Sequence, residues 1–305
     1  MSITSHTAPI ATEAVARLRA ILVRDGFELL SKPYAHFAAK KGKLSVTVYE
    51  KGPKVLVQGK GTEDFIRFTL EPEILGEARL GYEEVVDPEM FSPHFGIDES
   101  GKGDFFGPLV ISGVFVDQTS TRILLDAGIT DSKRVGSDAK VRRLAETIRS
   151  TRGVVHETIA ISPARYNEMY PSFRNLNEML AWGHARVISR LAELRPDCPR
   201  ALSDQFARKE ILERALKARG VALILEQKVR GEADIAVAAA SLLARERFID
   251  WLRDTSAGAG VPLPPGASAL VKDAARSFIA THGKESLAKV AKLHFKTAAE
   301  ILNNP

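Results

Sequence analysis

The sequence is almost free of cysteine, since Cys198 is the single one among 305 residues. One cysteine cannot form an internal disulfide, and it cannot supply the several thiolates of a structural zinc site. We therefore expect a protein of the reducing cytoplasm, in which Cys198 is a small side chain that is at least half-buried.

Long apolar runs are also absent. No uncharged apolar stretch approaches the roughly 20 residues that a membrane-spanning helix needs, and residues 1–10 lack the basic and apolar regions of a signal peptide. These two absences predict a protein that neither enters a membrane nor is exported.

The chain has enough apolar residues, 45% of 305, to bury the cores of two domains. Its formal net charge of +5 favours a polyanionic partner without proving one. Residues 31–60 contain a single acid, Glu50, and seven lysines, namely Lys32, Lys40, Lys41, Lys43, Lys51, Lys54 and Lys60. This cluster is typical of a surface that contacts backbone phosphates, and a solvated sheet edge is the alternative.

Residues 1–85 have the pattern of a small α+β domain. Apolar residues at helical spacing predict helices over 11–25 and 62–70. Short alternating runs separated by turns predict an antiparallel sheet. Its strands are expected at 36–39, 44–49 and 54–58. Residues 71–91 are rich in acids and interrupted by prolines, which is typical of a connection between domains.

The centre of the chain combines adjacent acids with glycines. An apolar run ends at Asp98 and Glu99, and Gly101 and Gly103 follow before a second apolar run over 109–117. This pattern predicts two strands joined by a turn whose glycines let the backbone pass close to another group. A phosphate-binding P-loop is disfavoured, because position 103 lacks the required hydroxyl and the two acids would repel phosphate. An ordinary glycine-rich hairpin remains an alternative.

Residues 92–305 carry early strands joined by short links and then strands that alternate with helices. This order predicts an α/β domain with a mixed sheet flanked by helices. The strands are expected at 94–98, 109–117, 153–161, 200–204 and 221–225. The helices are expected at 138–149, 163–169, 176–194, 209–218, 234–254, 268–281 and 287–302.

Residues 98–109, which read Asp-Glu-x-Gly-x-Gly-x-x-x-Gly-Pro-Leu, closely resemble the signature of the prokaryotic type 2 and type 3 ribonucleases H. Further matching segments follow in the order of that family. They lie at 131–133, 204–206, 238–241 and 291–295. The resemblance favours type 3, because that type carries an N-terminal module similar to the TATA-box-binding fold. It implies a ribonuclease H-like mixed sheet for the second domain.

The resemblance also implies an activity. An enzyme of this kind is an endonuclease that hydrolyses the RNA strand of RNA/DNA hybrids with two divalent ions, Mg²⁺ or Mn²⁺, and leaves 3′-hydroxyl and 5′-phosphate ends. The partner would be the RNA/DNA hybrid, and the enzyme is expected to act as a monomer. The alternatives are a type 2 enzyme that cuts at single embedded ribonucleotides, and a non-catalytic hybrid-binding protein.

The metal ligands implied by the resemblance are all carboxylates, as hard cations prefer. They are Asp98, Glu99, Asp204 and Glu232, with Asp234 as the alternative fourth ligand and otherwise a helix N-cap. Successive strand residues face opposite sides, so Asp98 and Glu99 share one pocket only if the backbone departs from the regular pleat. The alternative role of Asp204 is that of a helix cap.

Further residues are expected to touch the substrate. Gly101, Lys102 and Gly103 match the tripeptide with which the family meets the RNA strand, whose 2′-hydroxyl distinguishes RNA from DNA. Ser132 and Lys133 could hold phosphates, and a capped turn is the alternative. Four basic residues near the C-terminus could approach the substrate or form a solvated face. They are Lys284, Lys289, Lys292 and Lys296. Three histidines, His184, His282 and His294, are interpreted as structural.

Overall fold

The computed structural model describes residues 4–75, 87–130, 132, 135–229 and 231–303, with the side chain of Glu232 excepted. Contacts between residues divide the chain into two compact units, the first ending at Glu89 and the second beginning at Met90. Residues 76–86 of the predicted connection lie outside the described part of the chain.

The first unit contains a five-stranded antiparallel sheet. Its strands are β1 Ser5–Pro9, β2 Glu28–Leu30, β3 Ala35–Lys41, β4 Leu44–Tyr49 and β5 Lys54–Gly59. They are arranged in the order β1-β5-β4-β3-β2. Helix α1 spans Thr12–Arg24, and helix α2, Thr62–Phe65, continues as a π-helix over Ile66–Leu75.

Alternation of apolar residues explains the core of this unit. Val46 and Val48 of β4 are fully buried and share one cluster with Leu18 and Leu22 of α1. The sequence did not predict β1 or β2, because the first buries a single residue and the second buries none. Neither strand therefore carries the alternating signal that revealed the other three.

The second unit contains a five-stranded mixed sheet, as the sequence predicted. Its strands are β6 His94–Ser100, β7 Leu109–Val116, β8 Val155–Ile161, β9 Arg200–Asp204 and β10 Ile224–Lys228. They are arranged in the order β10-β9-β6-β7-β8. Strand β7 is antiparallel to both of its neighbours, β6 and β8, whereas β9 and β10 run parallel to β6.

The helices of the second unit flank this sheet. They are α3 Gln118–Asp126, α4 Asp138–Ser150, α5 Pro163–Met169, α6 Leu176–Leu194, α7 Lys209–Lys217, α8 Ile235–Ala259, α9 Ala269–His282 and α10 Lys296–Asn303. No helix among the described residues is long and apolar enough to cross a membrane.

Opposite faces of β6 contact different helices. Phe95 and Ile97 share a core with residues of α6. Gly96 faces α8, because a Cβ atom at Gly96 would lie 2.2 Å from the backbone of Ala236 and Val237. The next residue on each face of the strand, Asp98 and then Glu99, therefore points towards α8 and α6 respectively.

The predicted helix over 287–302 is wrong in its first half. A short 3-10 helix covers Lys284–Lys289, and α10 begins only at Lys296. Between them the chain hydrogen-bonds to residues 105–107, which follow β6: Gly107 N–H donates to Val290 O at 3.0 Å, and Lys292 N–H donates to Phe105 O at 2.9 Å. These long-range bonds draw the backbone out of a helical path.

Candidate active site

Asp98 and Asp204 end two neighbouring strands that run in the same direction. Ile97 of β6 pairs with Ser203 of β9 in the parallel register, and each carboxylate follows directly. Residues at the same level of adjacent parallel strands point to the same face of a sheet. Both side chains are half-buried and lie on the face that α8 covers. The structure thus brings these two predicted ligands together.

The surroundings of Asp98 oppose its ionisation. Burial, followed by the negative charge of Glu99 and a contribution from Asp204, raises the pKa of Asp98 well above its ordinary value. Its carboxylate accepts a hydrogen bond from the backbone N–H of Glu99 at 2.8 Å and another from Ser241 of α8. Acids that oppose one another's ionisation favour a bound cation, which neutralises them.

Ser132 contacts Ser241, the residue that hydrogen-bonds to Asp98. Its hydroxyl lies 2.5 Å from the hydroxyl of Ser241, and its side chain is buried. The hydroxyl that the sequence assigned to a phosphate is therefore engaged with the residue that contacts Asp98. Asp131 and Lys133 lie outside the described residues.

Glu99 points to the other face of the sheet. Its Oε2 atom lies 3.1 Å from Nε2 of His184 on α6, and its Oε1 atom lies 3.4 Å from Nζ of Lys102. Strand β6 keeps its regular pairing with β7 through Ser100, so the backbone does not depart from the pleat at Glu99. The two adjacent carboxylates therefore have different partners, Asp98 on the α8 side of the sheet and Glu99 on the α6 side.

His184 and Lys102 favour the ionised form of Glu99. Burial on its own would raise the pKa of this carboxyl, but the hydrogen bond and charge of His184, assisted by Lys102, hold the pKa below its ordinary value. His184 is fully buried, and within the described part of the chain its Nδ1 atom has no hydrogen-bond partner. No local pattern in the sequence indicates this contact, because His184 is separated from Glu99 by 85 positions.

The turn before α8 hydrogen-bonds to Asp204. The backbone N–H of Gly231 donates to Oδ1 of Asp204 at 3.0 Å, so the 3-10 turn Gly231–Ala233 lies beside this carboxylate. Glu232 occupies the middle of that turn. Its side chain lies outside the described part of the structure.

Asp234, the alternative fourth ligand, is already engaged. Its Oδ1 atom accepts hydrogen bonds from the N–H groups of Ala236 at 2.8 Å and Val237 at 3.2 Å, which makes it the N-cap of α8. Its Oδ2 atom lies 3.0 Å from Nε2 of the fully buried His94. This geometry favours Glu232 over Asp234 as a ligand.

The glycine-rich turn, defined here as residues 101–107, leaves β6 directly after the acids. Gly101 has a φ of +85°, and a Cβ atom there would lie 2.1 Å from Pro108 O, so only glycine fits. A Cβ atom at Gly103 would meet nothing within 4 Å. Lys102, between them, is 39% exposed. Of the predicted RNA-contacting tripeptide, Gly103 is exposed, Lys102 is partly exposed and Gly101 is buried.

The described side chains alone do not complete a metal site. Among them, no three His, Cys, Asp or Glu residues are grouped so that they could hold an ion. The described oxygen donors that do converge are those of Asp98 and Asp204, and the turn that carries Glu232 lies next to Asp204.

Comparisons with known proteins agree with this geometry. The family model described as Ribonuclease HII matches residues 95–298. Ribonuclease HIII of Protochlamydia amoebophila (strain UWE25) is 41% identical over 302 residues, which cover 98% of each chain. The chain belongs to the ribonuclease HIII family. Ribonuclease HIII of Chlamydia felis (strain Fe/C-56) is 42% identical over 303 residues, 99% of this chain and 98% of that protein.

A solved structure extends the likeness to both units. The crystal structure of Bst-RNase HIII in complex with Mn²⁺ matches with a TM-score of 0.68 and 26% identity over 98% of both chains. Within the first unit, residues 25–73 match a family model described as Domain of unknown function (DUF3378). The predicted fold class and the predicted family are confirmed, and the protein is a ribonuclease H-type hydrolase.

Proposed function

We propose that this protein is an endonuclease that hydrolyses the RNA strand of RNA/DNA hybrids with two divalent ions, Mg²⁺ or Mn²⁺, and leaves 3′-hydroxyl and 5′-phosphate ends. The observation that carries the proposal is the pair of carboxylates, Asp98 and Asp204, at the ends of adjacent parallel strands. The crystal structure of a similar protein, Bst-RNase HIII, is in complex with Mn²⁺, which supports the choice of metal.

The residues of the site suit hard divalent cations. Asp98 and Asp204 supply oxygen donors on one face. Burial and then the negative charge of Glu99 raise the pKa of Asp98, and a cation would offset that charge. Glu232, on the turn beside Asp204, is proposed as a further ligand, and Glu99 completes the set. When bound, the ions would activate the attacking water and stabilise the leaving oxygen.

Other residues hold these groups in place. His184 and Lys102 fix the Glu99 carboxylate, and Ser241, buttressed by Ser132, fixes the Asp98 carboxylate. The amides of Gly101, Lys102 and Gly103 are proposed to meet the 2′-hydroxyls and phosphates of the RNA strand. Lys133 is proposed as a phosphate contact.

Residues 1–85 are proposed as the substrate-binding domain and residues 92–305 as the catalytic domain. All seven lysines between positions 31 and 60 are exposed, which leaves their charge available to the phosphates of a hybrid. The enzyme is proposed to act as a monomer.

The test is cleavage of a uniform RNA/DNA hybrid whose RNA strand is labelled at one end, with Mg²⁺, with Mn²⁺ and with a chelator. We expect products only with metal, and product ends that carry 3′-hydroxyl and 5′-phosphate groups. A duplex with one embedded ribonucleotide should be cut more slowly than the uniform hybrid, and the reverse preference would favour a type 2 activity. Binding of the hybrid without any metal-dependent product would overturn the enzymatic proposal.

A further inference from the structure

A lysine lies buried beneath the glycine-rich turn. Lys292 is 1% exposed, and its ammonium group donates to the carbonyl oxygens of Asp104 at 2.7 Å, Gly107 at 2.6 Å and Phe106 at 3.4 Å. The sequence-based expectation that Lys292 could approach the substrate is therefore wrong. Its charge is directed into the protein.

All three acceptors belong to the turn that follows Asp98 and Glu99. Main-chain bonds strengthen the same attachment, since Lys292 N–H donates to Phe105 O at 2.9 Å and Phe106 forms an isolated bridge with Ala291. The second half of the turn is thus attached to the segment around Lys292, which lies 188 positions after Asp104 in the chain.

Gly266 holds the same part of the turn from a different segment. Its N–H donates to Oδ1 of Asp104 at 2.6 Å, and its carbonyl accepts from Phe105 N–H at 2.9 Å. Gly101 and Gly103 lie before these anchored residues and, as glycines, have more intrinsic backbone freedom than residues with a side chain. The geometry of the tripeptide therefore depends on how firmly residues 104–107 are anchored.

Lysine is suited to this position. Three carbonyl oxygens converge on one point, and an ammonium group has three donors that can be directed to them. The planar guanidinium of arginine has a fixed fork geometry, and an apolar side chain would leave the carbonyls without this donor. Lys292 thus does more than fill space below the turn.

A second residue fixes the segment that carries Lys292. The side-chain amide of Asn167 on α5 donates to Ala288 O at 3.1 Å and to Ala291 O at 2.9 Å, and its Oδ1 atom accepts from Leu293 N–H at 2.9 Å. These bonds bracket Lys292 on both sides. Asn167 therefore controls the position of the lysine without touching the turn.

We propose that Lys292 is a positioning residue that holds the Gly101–Lys102–Gly103 tripeptide in the geometry that reads the RNA strand, and so sets the preference for RNA/DNA over DNA/DNA duplexes. This inference rests on the proposed function, because it assumes that the tripeptide meets RNA. It assigns Lys292 no contact with substrate or metal.

The test compares wild type, Lys292→Met and a matched control, Lys272→Met. Lys272 lies in the same C-terminal region and forms a surface pair with Glu300 at 2.5 Å. Affinities for an RNA/DNA hybrid and for a DNA/DNA duplex of the same sequence are measured with a chelator, which prevents turnover. We expect Lys292→Met to weaken hybrid binding by about ten- to a hundredfold while DNA/DNA binding changes little, since small displacements of a positioned group cost this much. Lys272→Met should keep the wild-type preference.

Hydrogen exchange supplies a readout of the cause. The amides of residues 101–107 should exchange faster in Lys292→Met, whereas those of the central strands β6 and β7 should keep their protection. Asn167→Ala should shift the preference in the same direction by a smaller factor, and it serves as the test if Lys292→Met does not fold.

The outcomes separate this inference from the proposed function. If wild type itself shows neither a preference for the hybrid nor metal-dependent cleavage, the proposed function fails. If wild type discriminates and the variants discriminate equally well, or if they lose affinity for both duplexes alike, the positioning role of Lys292 is overturned.

Discussion

The acidic site of the second unit, formed by Asp98 and Asp204, differs in construction from the basic sheet of the first unit, which carries the seven lysines between positions 31 and 60. Asp98 and Asp204 are half-buried, and the register of β6 and β9 sets their separation. The lysines between positions 31 and 60 are exposed side chains on antiparallel strands and their turns. Half-buried acids on adjacent strands keep a fixed geometry, whereas long exposed lysines do not.

This difference teaches how the two tasks of a nuclease can be divided. Metal-assisted hydrolysis needs oxygen donors held in a defined arrangement. Attraction of a nucleic-acid backbone needs positive charge near the phosphates but tolerates variable side-chain positions. We therefore expect damage to the acidic site to abolish turnover and damage to the basic sheet to weaken binding.

The largest effect is expected from Asp98→Asn or Asp204→Asn. Each change removes a negative oxygen donor while keeping the shape of the side chain, so turnover at saturating hybrid should fall roughly a thousandfold or more. Single-turnover cleavage measures the effect. Asp197→Asn, which changes an exposed acid paired with Arg195 at 3.0 Å, is the control and should cut normally. Near-normal cleavage by the Asp98 or Asp204 variant at saturating metal would show that the ligands are others.

The two candidates for the fourth metal ligand, Glu232 and Asp234, should respond differently to substitution. Glu232→Gln should lower turnover by orders of magnitude and leave the melting temperature nearly unchanged. Asp234→Asn should instead destabilise the fold, by about 2 kcal/mol, because it replaces the ionised partner of the buried His94 with a neutral amide that hydrogen-bonds to the ring more weakly. Thermal unfolding and cleavage of both variants decide the matter. If the Asp234→Asn protein is stable but cannot cut, then Asp234 is the metal ligand and Glu232 is not.

The pair of Asp234 and His94 also predicts a dependence of stability on pH. Although burial opposes ionisation of Asp234, the hydrogen bond from His94 holds the pKa of its carboxyl below the ordinary value. A lowered folded-state pKa contributes stability above the unfolded value of about 3.9, and this contribution is lost as pH falls through the folded value. The difference in melting temperature between wild type and Asp234→Asn should therefore shrink in acid, and a difference that grows there would contradict this reading of the pair.

A smaller effect is expected from removing the basic sheet. Deletion of residues 1–85 should leave the carboxylates in place and weaken hybrid binding. Each phosphate that a protein neutralises contributes about 0.7–0.9 to the slope of log affinity against log salt, so loss of three contacts should lower the slope by roughly two or more. Salt titrations of affinity for the full-length and truncated proteins measure this change, with circular dichroism as the control for folding. Unchanged affinity and slope would reduce the lysines to a solvated surface.

Local patterns predicted much of the fold. Helix α6 was predicted with its observed bounds, 176–194, because its apolar periodicity is continuous over five turns. Strand β10 was displaced by three residues, and α3 was missed although Asp117 and Ser120 form a capping box at its start. Short elements with few buried residues carry little periodic signal.

The assembly of the site could not be predicted from local patterns. Asp98 and Asp204 are adjacent only because β9 pairs in parallel with β6, and it was the family resemblance that linked them in the sequence. The contact of His184 with Glu99 and that of Lys292 with residues 104–107 join segments far apart in the chain. Local patterns predicted a helix around Lys292. The hydrogen bonds of this segment to the distant glycine-rich turn keep it from forming that helix.

The division of labour between the two regions can be tested in one measurement, which determines affinity and saturated turnover of Asp98→Asn and of the protein lacking residues 1–85 on the same labelled hybrid. The account predicts that Asp98→Asn keeps its affinity and loses turnover, whereas the truncated protein loses affinity and keeps turnover once the substrate is saturating. A truncated protein that binds normally but cannot cut would contradict the account, because residues 1–85 would then position the hybrid for the carboxylates instead of holding it.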